Sequence, residues 1–472
     1  MVLSASWIAL TGRYPMAFDE DFHLGLIRLY ASHGLPFWSG QPAHADVYGA
    51  VARDPSYLFH YLMSFPYRLI SLFSQNEAVQ VLVLRAINIA LFVSSLPLFR
   101  RVLLRAGASS ALANGCLAVF VLTPISPQLA AQINYDNLLL PLTALILLVA
   151  LKVNKLEATG KLRAILQILV LGLAGSLIKF AFLPIFLAVL LWLVIRLKAW
   201  RLRPGAVLDL RPALKTSKNL VLVFCLLLLS VLAIERYGIN VIRYHDPIPN
   251  CGQVLSLEHC KNYGPYIRDN NFAAAKPDVN SNPLAYTRHW FYAMWFRSFF
   301  AVDGPKTEYQ TRGPFVIPAI SAVVLIVFGC LALIVRFRCI WRTFPDSIGL
   351  FGLVTAVYVS ALWLQEFKEF LHTGVPVAIN GRYLLLVLAP ISFILATAVG
   401  NLLRRYAVAK TGLLLVTLLC LISAGGGLTY ILRSNNAWYW PNPYTRSANH
   451  AVQRILGPVT PGFDKPTAFL HY

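Results

Sequence analysis

Charged residues are scarce in this sequence, and acidic residues are the scarcest of them. Only 13% of the 472 residues are charged, with 20 Asp and Glu against 41 Lys and Arg. Average soluble domains carry about 25% charged residues, so this scarcity excludes an ordinary soluble globular protein. The 57% hydrophobic content and the mean hydropathy of +0.62 indicate a polytopic membrane protein.

Cysteine is also rare, and its spacing excludes the common cysteine metal sites. The seven cysteines are spread thinly and include no C-x-x-C pair. Cys251 and Cys260 share one polar loop, where a disulfide would form if the loop faces an oxidising compartment. The sequence leaves the bonded and the free state open. The other five lie in or beside apolar segments and are expected to pack there: Cys116, Cys225, Cys330, Cys339 and Cys420.

The basic residues are numerous but are confined to short loops. A net charge of +21 would suggest a nucleic-acid partner in a soluble protein. Here the basic residues alternate with long apolar segments, as the positive-inside rule of membrane topology describes. We therefore expect membrane lipids, and no nucleic acid, around this protein.

Long apolar segments divide the chain. A helix needs roughly 20 residues to cross about 30 Å of hydrocarbon. Residues 1–11 are apolar but shorter, and we interpret them as the last half of a first span. The sequence therefore predicts an all-α bundle of about 11 transmembrane helices, the first one truncated. The ten further segments lie at about 79–99, 110–126, 136–151, 164–178, 180–196, 219–235, 315–335, 347–364, 382–400 and 411–431.

The basic loops alternate with loops that are rich in polar and aromatic residues. Basic loops belong on the cytoplasmic side, so the others are expected at the outer face of the membrane. We expect a transmembrane domain over residues 1–431 and an outer C-terminal tail over 432–472. Its outer loops are 12–77, which contains an interfacial helix near 56–73, then 236–314 and 365–381.

An acidic stretch follows the first apolar segment and contains Asp19, Glu20, Asp21, His23 and Arg28. If Asp19 caps a helix, its carboxylate and that of Glu20 lie close to the imidazole of His23 at positions i+4 and i+3. An ordinary acidic first turn with a solvated face is the alternative. The scarcity of acids and their position at a predicted membrane surface favour a functional cluster.

Four further charged residues are expected near the same face. Asp136 opens an apolar segment, either as a plain helix cap or as a second acid near a metal or sugar. Lys179 separates two apolar segments and either reaches the headgroups or faces an anion in a cavity. Arg382 begins a late span, where the helix dipole is unfavourable to a cation and an anion would compensate. Arg297 lies in an aromatic segment that suits an interface belt or sugar stacking.

Acids and cations at one membrane surface suit a substrate with a lipid phosphate. Cations would bind the phosphate, and a carboxylate would accept a proton from an acceptor hydroxyl as general base. Phosphate is already a good leaving group. Such an enzyme therefore needs one base, unlike a glycosidase with two working carboxylates.

Four short motifs follow one another along the chain: Asp19-Glu20-Asp21-Phe22-His23, Tyr135-Asp136-Asn137, the six residues from Lys179 to Pro184, and Gly381-Arg382-Tyr383. In this order and spacing they resemble the GT-C superfamily of integral-membrane glycosyltransferases. The resemblance is closest to a poorly characterised bacterial branch with an Asp-Glu-x-x-His motif in the first loop. It implies a GT-C-like bundle in a bacterial plasma (inner) membrane, whose outer-face (periplasmic) loops form the active site.

The resemblance also implies a reaction and roles for individual residues. A sugar would pass from a polyprenyl-phosphate carrier to a glycan, lipid or protein acceptor, with inversion at the anomeric carbon. Asp19 would be the catalytic base, with Glu20 and His23 beside it. A divalent cation, Mg²⁺ or Mn²⁺, would be held by Asp19 and Asp136 if one is required. The substrate-binding residues would be Asp136, Lys179, Arg382, Tyr383 and Arg297.

A transporter or flippase of lipid-linked saccharides is the competing interpretation, in which the same charges would guide a headgroup through the membrane. Inverted repeats and helices broken at the midplane would favour it, and neither is visible in the sequence. A structural or assembly protein without chemistry is the third class, and scattered charges would favour it. Charges confined to one face favour the enzyme.

Overall fold

The computed structural model of the chain describes residues 1–16, 19–153, 156–197, 216–275, 281–299, 316–424 and 426–459. Within these ranges the secondary structure is helical, and an isolated β-bridge joins Gly12 to Tyr439. The predicted all-α fold is confirmed for this part of the chain. The α-helices in chain order are α1 (Val2–Thr11), α2 (Glu20–His33), α3 (Leu58–Phe73), α4 (Glu77–Arg105), α5 (Ser110–Leu122), α6 (Ile125–Ala130), α7 (Asp136–Ala150), α8 (Ala158–Ile178), α9 (Leu183–Arg196), α10 (Ser217–Ala233), α11 (Ile239–Tyr244), α12 (Cys251–Val254), α13 (Leu257–Cys260), α14 (Gly264–Ala274), α15 (Pro283–Phe299), α16 (Val316–Thr343), α17 (Pro345–Thr373), α18 (Leu385–Leu402), α19 (Ala407–Ala424), α20 (Gly426–Arg433) and α21 (Pro443–Leu456).

Six helical segments are long and apolar enough to cross a membrane, which makes this a helical membrane protein. They are Glu77–Arg105, Gly160–Ile178, Ser217–Tyr244, Ser321–Thr343, Pro345–Thr373 and Gly381–Leu402. Five shorter apolar helices coincide with the remaining predicted segments, and 11 spans stay a prediction. These helices are Val2–Thr11, Ser110–Leu122, Asp136–Ala150, Phe180–Arg196 and Ala407–Ile422.

The outward faces of the bundle are apolar, as lipid contact requires. Helix α10 exposes Val221, Phe224, Leu227 and Val231, and α16 and α19 also expose large apolar side chains. Apolar patches of this extent are rare on soluble monomers. Inside the bundle, α7 packs between α4 and α8, and α17 packs against α9 and α18.

Two contacts join the chain segments that carry the basic residues. Ser347 Oγ donates to the carbonyl of Ala106 at 2.8 Å, and Arg196 pairs with Asp346. These contacts bring the ends of α4, α9 and α16 to one end of the bundle, as the predicted loop alternation requires. The sequence also places a dense group of basic residues between Arg196 and Lys218, and positions 198–215 of this segment lie outside the described residues.

The large loop predicted over residues 236–314 folds into helices, although its parts 276–280 and 300–314 lie outside the described residues. A disulfide joins Cys251 to Cys260 across α12 and α13. This settles the state that the sequence left open. An ion pair between His259 and Asp46 attaches the disulfide-bonded segment to the segment that follows α2.

The outer loop predicted at 365–381 is shorter than expected, because α17 continues to Thr373. No helix breaker occurs in its last turns until Gly374, whose φ of 76° ends the helix and whose N–H donates to the carbonyl of Phe370. The connection to the next apolar helix is therefore only residues 374–380. The outer tail predicted at 432–472 begins with α21 after a 3₁₀ turn, and its residues 460–472 lie outside the described residues.

Candidate active site at one end of the bundle

Asp19 presents a carboxylate at the start of α2. It occupies the N-cap position with φ 65°, a left-handed conformation that Asp tolerates better than most residues. Its side chain makes no capping hydrogen bond to α2 and is 65% exposed. Asp19 therefore occupies the predicted N-cap position, but its carboxylate does not cap the helix and remains accessible to solvent and to neighbouring groups.

Lys179 and Asp136 form a buried ion pair at the same end of the bundle. Lys179 is an extended residue between α8 and the 3₁₀ turn Phe180–Phe182, and its Nζ donates to Asp136 Oδ1 at 2.8 Å. The ammonium also lies 4.4 Å from the ring centres of both Tyr135 and Tyr383. One carboxylate and two aromatic faces thus hold this cation away from water.

Arg382 connects the two acids. Its Nε lies 3.5 Å from Asp136 Oδ2, and its Nη2 lies 3.6 Å from Asp19 Oδ2. Both distances exceed those of a tight charge-assisted hydrogen bond, so the guanidinium is near both carboxylates without being closely bonded to either. The 3₁₀ turn Gly381–Leu384 places Arg382 here, and the side chain of Asn380 accepts a hydrogen bond from its backbone N–H.

A network of asparagines fixes Asp136 at the start of α7. Asn134 Oδ1 accepts from the backbone N–H of Asp136 at 2.9 Å. The side chain of Asn137 donates to Asn88 Oδ1 in α4 at 3.0 Å and to the carbonyl of Gln132. Because α4 holds the turn before α7, the carboxylate of Asp136 has little freedom to move.

Helix α15 supports the turn that carries Arg382. A Cβ atom on Gly381 would lie 2.3 Å from the backbone nitrogen of Ser298, so only glycine allows this approach. Arg297, predicted to bind substrate, donates to the backbone carbonyl of Ile379 and so holds the segment just before Arg382. A contact of Arg297 with substrate stays a prediction.

Glu20, predicted to lie beside Asp19 as a catalytic neighbour, is buried in an ion pair inside the bundle. Its Oε1 and Oε2 accept from Arg85 Nε and Nη2 at 2.8 and 2.7 Å, and both side chains are 0% exposed. Successive helix positions differ by about 100° in direction, so Glu20 turns into the bundle. Arg85 was missed, although a charge inside the apolar segment 79–99 indicated that a partner was needed.

His23 lies behind the charged cluster and has an unpredicted partner. Its Nδ1 is 2.9 Å from Nε2 of His60 in α3, and both rings are buried. Burial lowers the pKa of His60 to about 3. Burial, and then the nearby His60, Arg382 and Lys179, hold the pKa of His23 well below its ordinary value. Both imidazoles are therefore neutral near pH 7.

The residues present do not fit a divalent cation between Asp19 and Asp136. The two oxygens of Asp136 already face Lys179 and Arg382, and the same guanidinium lies between the two acids. In the described part of the chain, no group of three or more His, Cys, Asp or Glu residues could hold a metal ion. The cations of the protein occupy the place that the predicted metal would take.

The cluster brings together four of the predicted site residues from distant parts of the chain, namely Asp19, Asp136, Lys179 and Arg382, with Tyr383 beside them. Two fixed cations can bind an anion, and the exposed carboxylate can accept a proton. The assigned roles stay predictions. The chain matches no known family model, no curated protein and no solved structure.

Proposed function

We propose that this protein is an integral-membrane glycosyltransferase of the GT-C type. It transfers a sugar from a polyprenyl-phosphate carrier to an acceptor hydroxyl at the outer face of the plasma membrane. The observation that supports this most is the meeting of Asp19 with Arg382 across more than 360 positions of sequence. An exposed acid beside buried cations is what transfer from a phosphate requires.

Lys179 and Arg382 bind the phosphate of the donor in this proposal. Both residues belong to segments that begin apolar helices, so the polyprenyl chain of a phosphate bound there can remain in the bilayer. Arg382 can offer two N–H groups to two phosphate oxygens, while Lys179 offers a point charge. Tyr383 keeps Lys179 in place with its ring face.

Asp19 is the general base. The acceptor oxygen forms a bond to the anomeric carbon while its proton passes to the carboxylate of Asp19. The bond from that carbon to the phosphate oxygen breaks, and the electron pair leaves with the phosphate. Lys179 and Arg382 stabilise the charge that develops on the departing group. Attack from the side opposite the phosphate inverts the anomeric carbon.

Asp136 is a positioning residue in this scheme. Its carboxylate holds Lys179 at 2.8 Å and faces Arg382, so it keeps two like charges close together before the donor arrives. The asparagine network around it makes this arrangement rigid, and rigid donors stabilise a transition state without reorganising.

The disulfide in the large loop supports the outer location of the site. Disulfides persist in the periplasm and outside the cell but are rare in the cytosol. Cys251 and Cys260 belong to the loop that is attached through His259 and Asp46 to the segment following α2. The disulfide and the site thus belong to the same end of the bundle.

A transfer assay in proteoliposomes tests the function. Purified protein receives polyprenyl-phosphate donors that carry different labelled sugars, together with candidate glycan, lipid and protein acceptors. We expect one donor to be consumed, with release of polyprenyl phosphate and labelled acceptor in equal amounts. Movement of intact donor across the bilayer without consumption would show a flippase and refute the enzyme. Transfer that depends on Asp19 and takes place at the outer face supports the proposal.

A further inference from the structure

The end of the bundle remote from the candidate active site carries a group of exposed arginines. Helix α18 begins just after Arg382 and is 18 residues long, so its far end lies about 27 Å from the site. Arg404 and Arg405 follow that end, and Arg338 and Arg342 belong to the last turns of α16. All four side chains are exposed. We call these four arginines the basic patch.

The basic patch has no acid of its own. Helix α16 contains no Asp or Glu, and residues 399–424 contain none either. The acid nearest to Arg342 in sequence is Asp346, which pairs with Arg196 of α9. None of the four arginines forms an ion pair with a described residue. Since like charges at short distance repel each other, the basic patch favours an anion from outside the chain.

The packing of α16 against α18 brings the two halves of the basic patch together. The side chain of Asn401 in α18 donates to Cys339 Sγ in α16 at 3.4 Å, and both helices end within four residues of this contact. Arg342 follows Cys339 by three residues, and Arg404 follows Asn401 by three residues, which is less than one helical turn in each case. The two pairs of arginines therefore lie at one level of the bundle.

An exposed apolar stripe on α16 leads to the basic patch. Leu331, Val335, Arg338 and Arg342 follow one another at intervals of four, three and four residues, so they share one face of the helix. Leu331 is 55% exposed and Val335 is 67% exposed. This face is thus apolar within the membrane-spanning part of α16 and basic at its end. The acyl chain and the phosphate of one phospholipid fit these two parts together.

The charge of the basic patch decides between the classes of phospholipid. A zwitterionic phospholipid brings a cation together with its phosphate and leaves the net charge of the arginines unchanged, whereas an acidic phospholipid adds a net negative charge. Arginine also binds phosphate oxygens through two parallel N–H groups. Each Lys or Arg near an acidic membrane surface strengthens the attraction about fivefold. Four arginines without an acid therefore favour the acidic class.

We propose that the basic patch binds an acidic phospholipid of the membrane. The phosphate lies between the last turns of α16 and the segment after α18, and an acyl chain follows Leu331 and Val335. The lipid neutralises the arginines where the two helices end, and it stabilises the folded protein because it binds the folded state alone. This site is separate from the candidate active site, and it does not depend on the proposed function.

Native mass spectrometry of the full-length, delipidated protein tests the class of lipid. Phosphatidylglycerol and phosphatidylcholine with identical acyl chains are titrated against the protein in one detergent. We expect the wild type to bind phosphatidylglycerol at least about fivefold more tightly. Equal affinity for the two lipids would overturn the proposal. Displacement of phosphatidylglycerol by inorganic phosphate would reveal a site for a free anion, and it would overturn the assignment to a lipid.

Two double variants test the location of the lipid, one on each side of the basic patch. Arg338→Gln/Arg342→Gln changes α16, and Arg404→Gln/Arg405→Gln changes the segment after α18. Each removes two of the four cations, so each should weaken the binding of phosphatidylglycerol about 25-fold. The four side chains are exposed and form no ion pair with described residues, so both variants should fold. Wild-type affinity in either variant would contradict the shared site.

Lys161→Gln/Lys218→Gln is the matched control, because it removes the same net charge from the same end of the bundle. These lysines belong to α8 and α10, which pack against each other and are joined there by a hydrogen bond from Arg163 to Asn219. The control should bind phosphatidylglycerol as the wild type does. A loss equal to that of the basic-patch variants would show attraction by net charge alone and would overturn the site.

Thermal unfolding in detergent gives a second measurement on the same proteins. Added phosphatidylglycerol should raise the Tm of the wild type and of the lysine control, since a ligand of the folded state stabilises it. The rise should be smaller in both basic-patch variants, whose Tm without lipid should equal that of the wild type. An equal rise in all four proteins would overturn the proposal.

Discussion

Asp19 and Glu20 are adjacent acids in opposite environments, so neutralising each one is expected to have a different consequence. The side chain of Asp19 is 65% exposed and its contact with Arg382 is long, at 3.6 Å. Substitution of an exposed residue without close contacts changes the free energy of unfolding by no more than about 0.5 kcal/mol. Asn also tolerates the left-handed backbone of this position. General-base catalysis contributes about 10²- to 10⁴-fold, so Asp19→Asn should lower transfer at least about 100-fold without unfolding the protein.

Glu20→Gln is expected to have the reverse effect. Both carboxylate oxygens accept from Arg85, and both side chains are 0% exposed. Removal of one partner from a buried ion pair costs about 3–5 kcal/mol. Arg85 still donates to the carbonyls of Ala9 and Gly12, and the amide oxygen of Gln can accept one bond. We therefore expect Glu20→Gln to lower the free energy of unfolding by an amount near the lower end of that range.

The assay combines thermal unfolding in detergent with the transfer rate per folded molecule. Glu77→Gln is the matched control, because Glu77 forms an exposed ion pair with Arg28 at 2.8 Å. Exposed pairs contribute about 0–1 kcal/mol, so this variant should unfold close to the wild type. Full activity of Asp19→Asn, or a Glu20→Gln protein as stable as the Glu77→Gln control, would refute the division of roles.

Three further predictions concern other parts of the site. Lys179→Met and Asp136→Asn each leave one partner of a buried ion pair, so each should lower the free energy of unfolding by about 3–5 kcal/mol. The double variant should be more stable than the sum of the two losses predicts and should still fail to bind polyprenyl phosphate. Additive losses in a double-mutant cycle would contradict the pairing. Burial lowers the pKa of His60 to about 3, so the unfolded state binds more protons below about pH 6.5 and stability falls as the pH drops from there towards 3. In unfolding measurements at about pH 4.5–6.5, the stability of His60→Phe should fall less steeply with pH than that of the wild type. An equal slope in both proteins would contradict a neutral buried imidazole. Cys251 and Cys260 should react in intact cells with a membrane-impermeant maleimide only after reduction, and labelling that requires permeabilised cells would place the loop on the cytoplasmic side.

The helices could be predicted from the sequence because the bilayer imposes a simple rule on each segment separately. An apolar segment of sufficient length must form a helix in lipid, and each predicted segment coincides in its described part with an apolar helix. The end of α17 could not be located in this way. Its last turns, around Glu366 and Lys368, are polar enough to resemble a loop, but α15 packs on them and Trp290 donates to Glu366. Tertiary contacts thus extended the helix.

The charged members of the site could be recognised because each one stood out locally. Lys179 interrupts an apolar stretch, and Asp136 and Arg382 open spans, so a partner was required in each case. Their mutual distances depend on how α7, α8 and α18 pack, and no local pattern contains this information. Glu20 and His60 illustrate the limit, because the packing of α2 against α3 and the ion pair of Glu20 with Arg85 in α4 depend on the tertiary fold.

The most direct test of the account is an experimental structure of the protein with a bound polyprenyl phosphate. The account predicts the phosphate between Lys179 Nζ and the guanidinium of Arg382, with oxygens at about 2.7–2.9 Å from the nitrogens. The anomeric carbon of a bound donor should face Asp19, with space for an acceptor hydroxyl between them. A phosphate bound elsewhere, out of contact with both Lys179 and Arg382, would contradict the account.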